Sequence, residues 1–262
     1  MSKGSCIVVT GASRGIGAAI AQVLATAGYE IGCLSRSGAL PALHGSGDDG
    51  SDGIDGADEL ATRVQGRLHA VAMDVTDRTS WEAALAALQA KGLKIAGLVN
   101  NAGLHLEGRS TEIDLDHWQT VINTNATSVL LGCQSVYPHL VQNRGGLIVN
   151  IGSFFDKLGV KRNLAYCASK AAVGAITRCL AVEWAGQDIR VLDVAPGYIE
   201  TDLNADAMRS GPLRAYLEKR IPSGRPGTAL DVANLVGALY SSGAGFMSGE
   251  TLYIDGAQGI AH

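Results

Sequence analysis

The chain has 262 residues and 27.1 kDa, with 47% hydrophobic and 18% charged residues, a composition that builds a core and excludes disorder as its main state. A net charge of -4, a pI of about 5.8 and the lack of a long basic run exclude phosphate-driven nucleic-acid binding. No apolar stretch reaches the ~20 residues that span a bilayer. The opening Met1-Ser2-Lys3-Gly4 runs into a strand-like segment with no signal-peptide core. Cys6, Cys33, Cys133, Cys167 and Cys179 form no Cys-x-x-Cys pair, so reduced thiols, no metal site and a cytoplasmic location are expected.

Cys6-Ile7-Val8-Val9 reads as a short buried strand, and 15–27 as a helix ended by Gly28. Strands follow at 31–34 and 69–73, then a helix at 80–90 and a strand at 95–99. Residues 117–141 have helical periodicity; 147–151 is a strand, 165–184 a long helix and 190–194 a strand. A helix at 231–241 and a strand at 251–254 close the series. Such alternation implies an α/β chain with a parallel sheet covered on both faces.

Two segments break the rhythm. Residues 37–56, rich in glycine and aspartate, read as a mobile surface insertion, with a cofactor flap as the functional alternative. Residues 198–222 follow the sixth strand. Open α/β sheets bind ligands beyond the carboxyl ends of their strands, so this excursion is a candidate substrate lid.

The first strand ends in Thr10-Gly11-Ala12-Ser13-Arg14-Gly15-Ile16-Gly17. Gly11 permits a tight turn, Gly15 the approach of a pyrophosphate, and Gly17 close packing of the helix on the strand. The helix N-terminus then presents free N–H groups to phosphates. An ordinary glycine-rich turn is the plain alternative. The second strand ends Cys33-Leu34-Ser35-Arg36, without the acid that would accept from an NAD ribose. Arg14 and Arg36 would instead embrace a 2′-phosphate, unless they are simply solvated. NADP is therefore the expected cofactor, with NAD as the alternative.

Ser153 lies just past the fifth strand; Tyr166 and Lys170 follow on the long helix, i and i+4, on one face. Carbonyl reduction needs a proton for the developing alkoxide. A phenol is a weak acid near neutrality, and a neighbouring ammonium favours its ionised form. At ~4 Å and an effective dielectric near 20 that charge is worth about 4 kcal/mol, roughly three pH units of acidity. Singly, Ser153 is a strand terminator, and Tyr166 and Lys170 are helix-surface residues.

Together these residues resemble the short-chain dehydrogenase/reductase family over essentially the whole chain. The resemblance rests on Thr10 to Gly17, Asn100-Asn101-Ala102-Gly103, Ser153, Tyr166-Cys167-Ala168-Ser169-Lys170 and Pro196-Gly197. It implies Tyr166 as general acid/base, Ser153 holding the substrate oxygen, and Lys170 binding the nicotinamide ribose while lowering the Tyr166 pKa. Asn125 matches the family asparagine that kinks its helix and holds a proton-relay water. Asp74 and Val75 would contact the adenine. Asn101, Ala102 and Gly103 would line the adenine side, where the plain alternative is a turn capping the strand. Pro196, Gly197, Ile199 and Thr201 would meet the carboxamide.

The stretch Pro196 to Asp202 resembles the 3-oxoacyl-carrier-protein reductases, with Val182 where those enzymes commonly carry a carrier-holding arginine. Lys157, Lys161 and Arg162 would receive an anionic substrate or stay solvated. Leu104, His105, Phe154, Phe155 and Tyr198 are candidate substrate-pocket residues, with rim or core roles as alternatives.

The expectation is one doubly wound Rossmann-type domain over 1–262, with about seven parallel strands. It would interconvert a ketone or 3-oxoacyl group and a secondary alcohol, with a small-molecule substrate, no nucleic-acid or membrane partner, and a homotetrameric assembly. The alternatives are an NAD-dependent secondary-alcohol dehydrogenase and a dinucleotide-sensing regulator that binds without reacting. Enoyl reductases of this fold set the lysine farther from the tyrosine, and sugar epimerases carry a larger C-terminal domain.

Overall fold

Short aliphatic runs free of charge become strands covered on both sides. Every residue of β1 (Cys6–Thr10) and β4 (Ile95–Asn100) is buried. In this computed structural model, which describes residues 4–41, 62–201, 211–242 and 244–261, they sit at the centre of a seven-stranded sheet. Its other members are β2 (Glu30–Ser35), β3 (Leu68–Ala72), β5 (Gly146–Ile151), β6 (Ile189–Pro196) and β9 (Thr251–Ile254). The order is β3-β2-β1-β4-β5-β6-β9, and every pairing is parallel. Strand order reverses between β1 and β4, which opens a crevice at their carboxyl ends.

Helices cover both faces. Ile20 and Leu24 of α1 (Gly15–Thr26) and Val232 and Val236 of α7 (Ala229–Ser241) fill one core. The other takes Trp81 and Leu88 of α2 (Arg78–Ala90), Val136 and Leu140 of α4 (Ser128–Gln142), and Val173 and Leu180 of α5 (Leu164–Trp184). Asp77 caps α2 by accepting from the Thr79 amide, and Thr228 and Asp231 cap α7 reciprocally. Burial pushes the Cys6, Cys33 and Cys133 thiols up to about 12, so these three pack as small apolar groups.

The elements follow the sequence expectations except in two places. The helix expected over 117–141 is α3 (Leu115–Ile122) and α4, joined by a π-helical turn at Asn123–Thr127. Beyond β6, the two-residue strands β7 (Ile199–Glu200) and β8 (Gly227–Thr228) pair in parallel and tie the start of the expected lid to the cap of α7. Within that segment α6 (Pro212–Arg220) buries Leu217, which clusters with Ile221 and Tyr198; residues 202–210 lie outside the described residues. Of the expected insertion, 42–56 likewise lies outside them.

Tyr240 of α7 reaches under the sheet, where its hydroxyl is 3.0 Å from the carbonyls of both Leu98 and Leu147. Its ring fills the space left open by Gly97. Tyr240→Phe should lower the unfolding free energy by about 1 kcal/mol, read as a lower urea midpoint with an unchanged slope.

Candidate active site

Gly11 and Gly15 adopt φ of +64° and +56°, a region that side chains disfavour. A side chain on Gly17 would begin 2.9 Å from the Gly11 carbonyl carbon and 2.5 Å from Asn101 Nδ2. Gly17 is therefore packed on the turn and on Asn101, rather than on the strand as the sequence suggests. Asn101 Nδ2 donates to the carbonyls of Thr10 at 2.9 Å and Gly11 at 3.3 Å. Thr10 Oγ1 accepts from the amides of Asn101 at 2.9 Å and Ala102 at 3.0 Å. The ends of β1 and β4 are thus laced together, so Asn101 does the work of the plain alternative. Arg14 caps α1 without a side-chain hydrogen bond, and no acid stands in the first turn. The positive helix end faces the crevice uncompensated.

The crevice is a cavity of about 600 Å3. Its walls include Gly11, Ser13, Arg14, Gly15 and Ile16 from the turn, and Ser35 and Arg36 from the end of β2. Asp74 and Val75 follow β3, Asn101, Ala102 and Gly103 follow β4, and Thr201 closes the side facing Gly15. Ser37, Met73, Thr76 and Thr124 also line it; all four neighbour residues that the motifs single out. Arg14 and Arg36 are exposed on the wall. Asp74 accepts from the Thr76 amide at 2.9 Å and hydroxyl at 2.7 Å. Those bonds hold its carboxyl below the usual range, with a smaller contribution from Arg36. Pro196, Gly197 and Ile199 border the same end of the sheet outside the cavity wall; the Gly197 amide donates to the Ile254 carbonyl at 3.0 Å.

Asn125 and Lys170 adjoin this cavity at Gly103. A side chain there would begin 3.2 Å from Asn125 Oδ1 and 3.8 Å from Lys170 Nζ. Asn125 sits in the π-helical turn. Its Oδ1 accepts from the Leu104 amide at 2.8 Å, and its Nδ2 donates to the Leu104 carbonyl at 2.8 Å and to Ser169 Oγ at 3.1 Å. The wider turn lets one amide side chain hold the loop after β4 against α5. Ser153 caps a 3-10 turn, Phe154–Lys157, by accepting from the Phe155 amide at 3.2 Å. Lys170 Nζ donates to the Ile151 carbonyl at 2.8 Å and stands 5.7 Å from the centre of the Tyr166 ring.

The electrostatics differ from the sequence expectation. Burial pushes the Tyr166 phenol upward, and the Ser153 hydrogen bond opposes this. Lys170 is itself pushed down to about 8 by burial, opposed by Asp193. An i, i+4 spacing places the two groups on one face but does not reveal how little water reaches them.

Aromatic rings surround the phenol. His105 lies 4.6 Å from the Tyr166 ring, and its Nε2 is hydrogen-bonded to Asn163 Oδ1. Phe155 meets Tyr166 edge-on at 5.9 Å and Tyr198 at 6.1 Å; Phe154 packs on Phe155 at 4.8 Å and on Tyr198 at 5.6 Å. Both phenylalanines are buried. Lys157 sits 3.4 Å above the Tyr253 ring and Arg162 pairs with Glu107 at 3.5 Å, so both cations are engaged within the chain. Val182 is 81% exposed. Among the described residues no His/Cys/Asp/Glu group suits a metal ion.

A family model described as enoyl-(acyl carrier protein) reductase matches residues 11–257. The 3-oxoacyl-acyl-carrier-protein reductase FabG of Chlamydia pneumoniae is 34% identical over 253 residues, 97% of this chain and 96% of the relative. The 3beta-hydroxysteroid dehydrogenase 1 of Eggerthella lenta is 33% identical over 255 residues, 97% of this chain and 93% of the relative. The crystal structure of a gluconate 5-dehydrogenase from Burkholderia cenocepacia J2315 in complex with NADP and tartrate superposes with a TM-score of 0.84 at 29% identity, covering 100% of this chain and 97% of that one. The chain belongs to the short-chain dehydrogenase/reductase family and is an oxidoreductase of CH–OH and carbonyl groups.

Gly17→Ala should cost about 2–3 kcal/mol of stability, because backbone and Asn101 leave the added methyl no room. Urea unfolding checks this.

Proposed function

We propose that the chain is an NADP-dependent reductase that interconverts a ketone or 3-oxoacyl group and a secondary alcohol. One arrangement supports the reading: Asn125 and Lys170 meet the cavity at Gly103, and the Lys170 ammonium stands 5.7 Å from the centre of the half-buried Tyr166 ring. The cavity suits a dinucleotide because an uncapped helix N-terminus and close-packed glycines meet two exposed arginines across it. The turn from Gly11 to Gly17 would hold the pyrophosphate, Arg14 and Arg36 a 2′-phosphate, Asp74 and Val75 the adenine, and Pro196, Gly197, Ile199 and Thr201 the carboxamide. Bound there, the cofactor would supply the hydride in reduction and accept it in oxidation.

The protein's own part is the proton. Ser153 Oγ holds the substrate oxygen. Tyr166 passes its hydroxyl proton to that oxygen and is left as a phenolate, which the Lys170 cation stabilises. Lys170 also holds the nicotinamide ribose, and Asn125 keeps the relay that returns a proton to the site. Burial makes the phenol a worse acid and Ser153 opposes that shift; a neighbouring Lys170 cation would favour the phenolate further. The four-residue step from Tyr166 to Lys170 favours carbonyl over enoyl chemistry. The rings of His105, Phe155 and Tyr198 suit an apolar substrate body. Apolar residues exposed on α4 and α5, Leu130 and Val182 among them, fit a homotetramer, which light scattering checks.

Tyr166→Phe should lower kcat on a ketone panel by about 10²–10⁴ while NADPH still binds; unchanged turnover would refute the acid/base role. Lys170→Ala should lose both rate and cofactor affinity. kcat/KM should favour NADPH over NADH, and Arg36→Asp should reverse that order. A wild-type preference for NADH would overturn the cofactor reading, and NADPH binding without turnover on any ketone would favour a sensor.

A further inference from the structure

One rung of the sheet beneath the site is polar, where a parallel sheet is ordinarily aliphatic. Asn100, Asn150, Asp193 and Thr251 stand in register across β4, β5, β6 and β9. Asn100 Nδ2 donates to Asn150 Oδ1 at 2.9 Å, Asn150 Nδ2 to Thr177 Oγ1 of α5 at 2.9 Å, and Thr251 Oγ1 to Asp193 Oδ2 at 3.2 Å. Asp193 is the charged member. It is 0% exposed, and its Oδ1 has no hydrogen-bond partner among the described residues. That oxygen lies 2.5 Å from where a side chain on Gly152 would begin, so the glycine leaves room for it.

A solitary buried carboxylate is costly, and the proton chemistry above gives Asp193 no task. What faces it is α5. A side chain on Gly174, one turn after Lys170, would begin 3.9 Å from Asp193 Oδ2. Lys170 Nζ is anchored on the Ile151 carbonyl, next to Gly152, so the opposite charges flank one peptide unit. The other ionisable groups around Asp193 are Asp156 from the 3-10 turn, Arg178 of α5 beside Gly174, and Tyr253 of β9, which donates to Asp156 at 2.8 Å. Burial pushes Asp193 up to about 6 and Lys170 down to about 8, and each group opposes the shift of the other.

We propose that Asp193 is the buried counter-ion of Lys170, a positioning residue that keeps the lysine charged beside Tyr166. The inference rests on the reading of Tyr166 and Lys170 as the reacting pair, and the test separates the two. The full chain is labelled with 13Cε-lysine, the Lys170 resonance is assigned with Lys170→Met, and its titration is followed from pH 5 to 10 without cofactor or substrate. In Asp193→Asn the Lys170 midpoint should fall by more than one pH unit; an unchanged midpoint overturns the pair. Asp193→Ala serves equally if the Asn variant does not fold. On the ketone that the wild type reduces best, the alkaline limb of kcat in the same variant should move to lower pH by a similar amount. A drop in kcat equal at every pH would overturn the positioning role. Failure of the acid/base reading would appear instead as full turnover by Tyr166→Phe, with the lysine midpoint still displaced.

Discussion

With helices on both faces of a parallel sheet, the chain can show its strands to a ligand only at their ends. That constraint decides where the chemistry sits. The carboxyl ends of β1 and β4 separate at the reversal of strand order, and the loops that leave them supply both the glycine turn and Gly103. Thr10 and Asn101 keep these two ends in fixed relation through four hydrogen bonds. That lacing sets the relative position of the glycine turn and of the window at Gly103. The site is therefore a consequence of packing, since the buried interior holds its rim still.

Local features of the fold were legible in the sequence because their causes are local. Aliphatic runs, helical periodicity and the glycine turn each act within a few residues, and they locate the strands and most helices to within a few residues; the caps that start α2 at Arg78 and α7 at Ala229 emerge only in the structure. Tyr166 and Lys170 were likewise legible as neighbours, because four residues along a helix bring side chains together. What escaped is long-range. The break at Asn123–Thr127, which the family resemblance anticipates as a kink at Asn125 and the local periodicity does not, involves Asn125 meeting Leu104, 21 residues earlier in the chain. The pairing of β7 with β8 brings together segments on either side of α6, too short to leave a periodic signal. Asp193 is one polar residue in a largely aliphatic strand. Its meaning emerges only when β5, β9 and α5 close around it.

The direction of the Tyr166 shift teaches the same lesson about energetics. Coulomb attraction at close range favours the phenolate, and sequence spacing reveals that attraction. Desolvation opposes it, and spacing says nothing about desolvation. Lys170 and Asp193 are buried and Tyr166 is half-buried, and in each case desolvation is the largest influence on titration. A cation nearby therefore does not by itself bring the phenol's pKa down. The protein must first keep that cation charged in a place that disfavours charge.

The polar rung is the part of the core suited to that problem. Its amides and the Thr177 hydroxyl are joined in a hydrogen-bonded chain, so they do not compete for the charge beside them. Thr251 orients one oxygen of Asp193 and leaves the other toward Gly152, the residue next to the carbonyl that Lys170 holds. An aliphatic residue at 193 would pack more cheaply, as replacement of buried ion pairs often does, but it would leave Lys170 free to shed its proton at lower pH. The rung thus exchanges some stability of the sheet for a cation that persists next to the phenol.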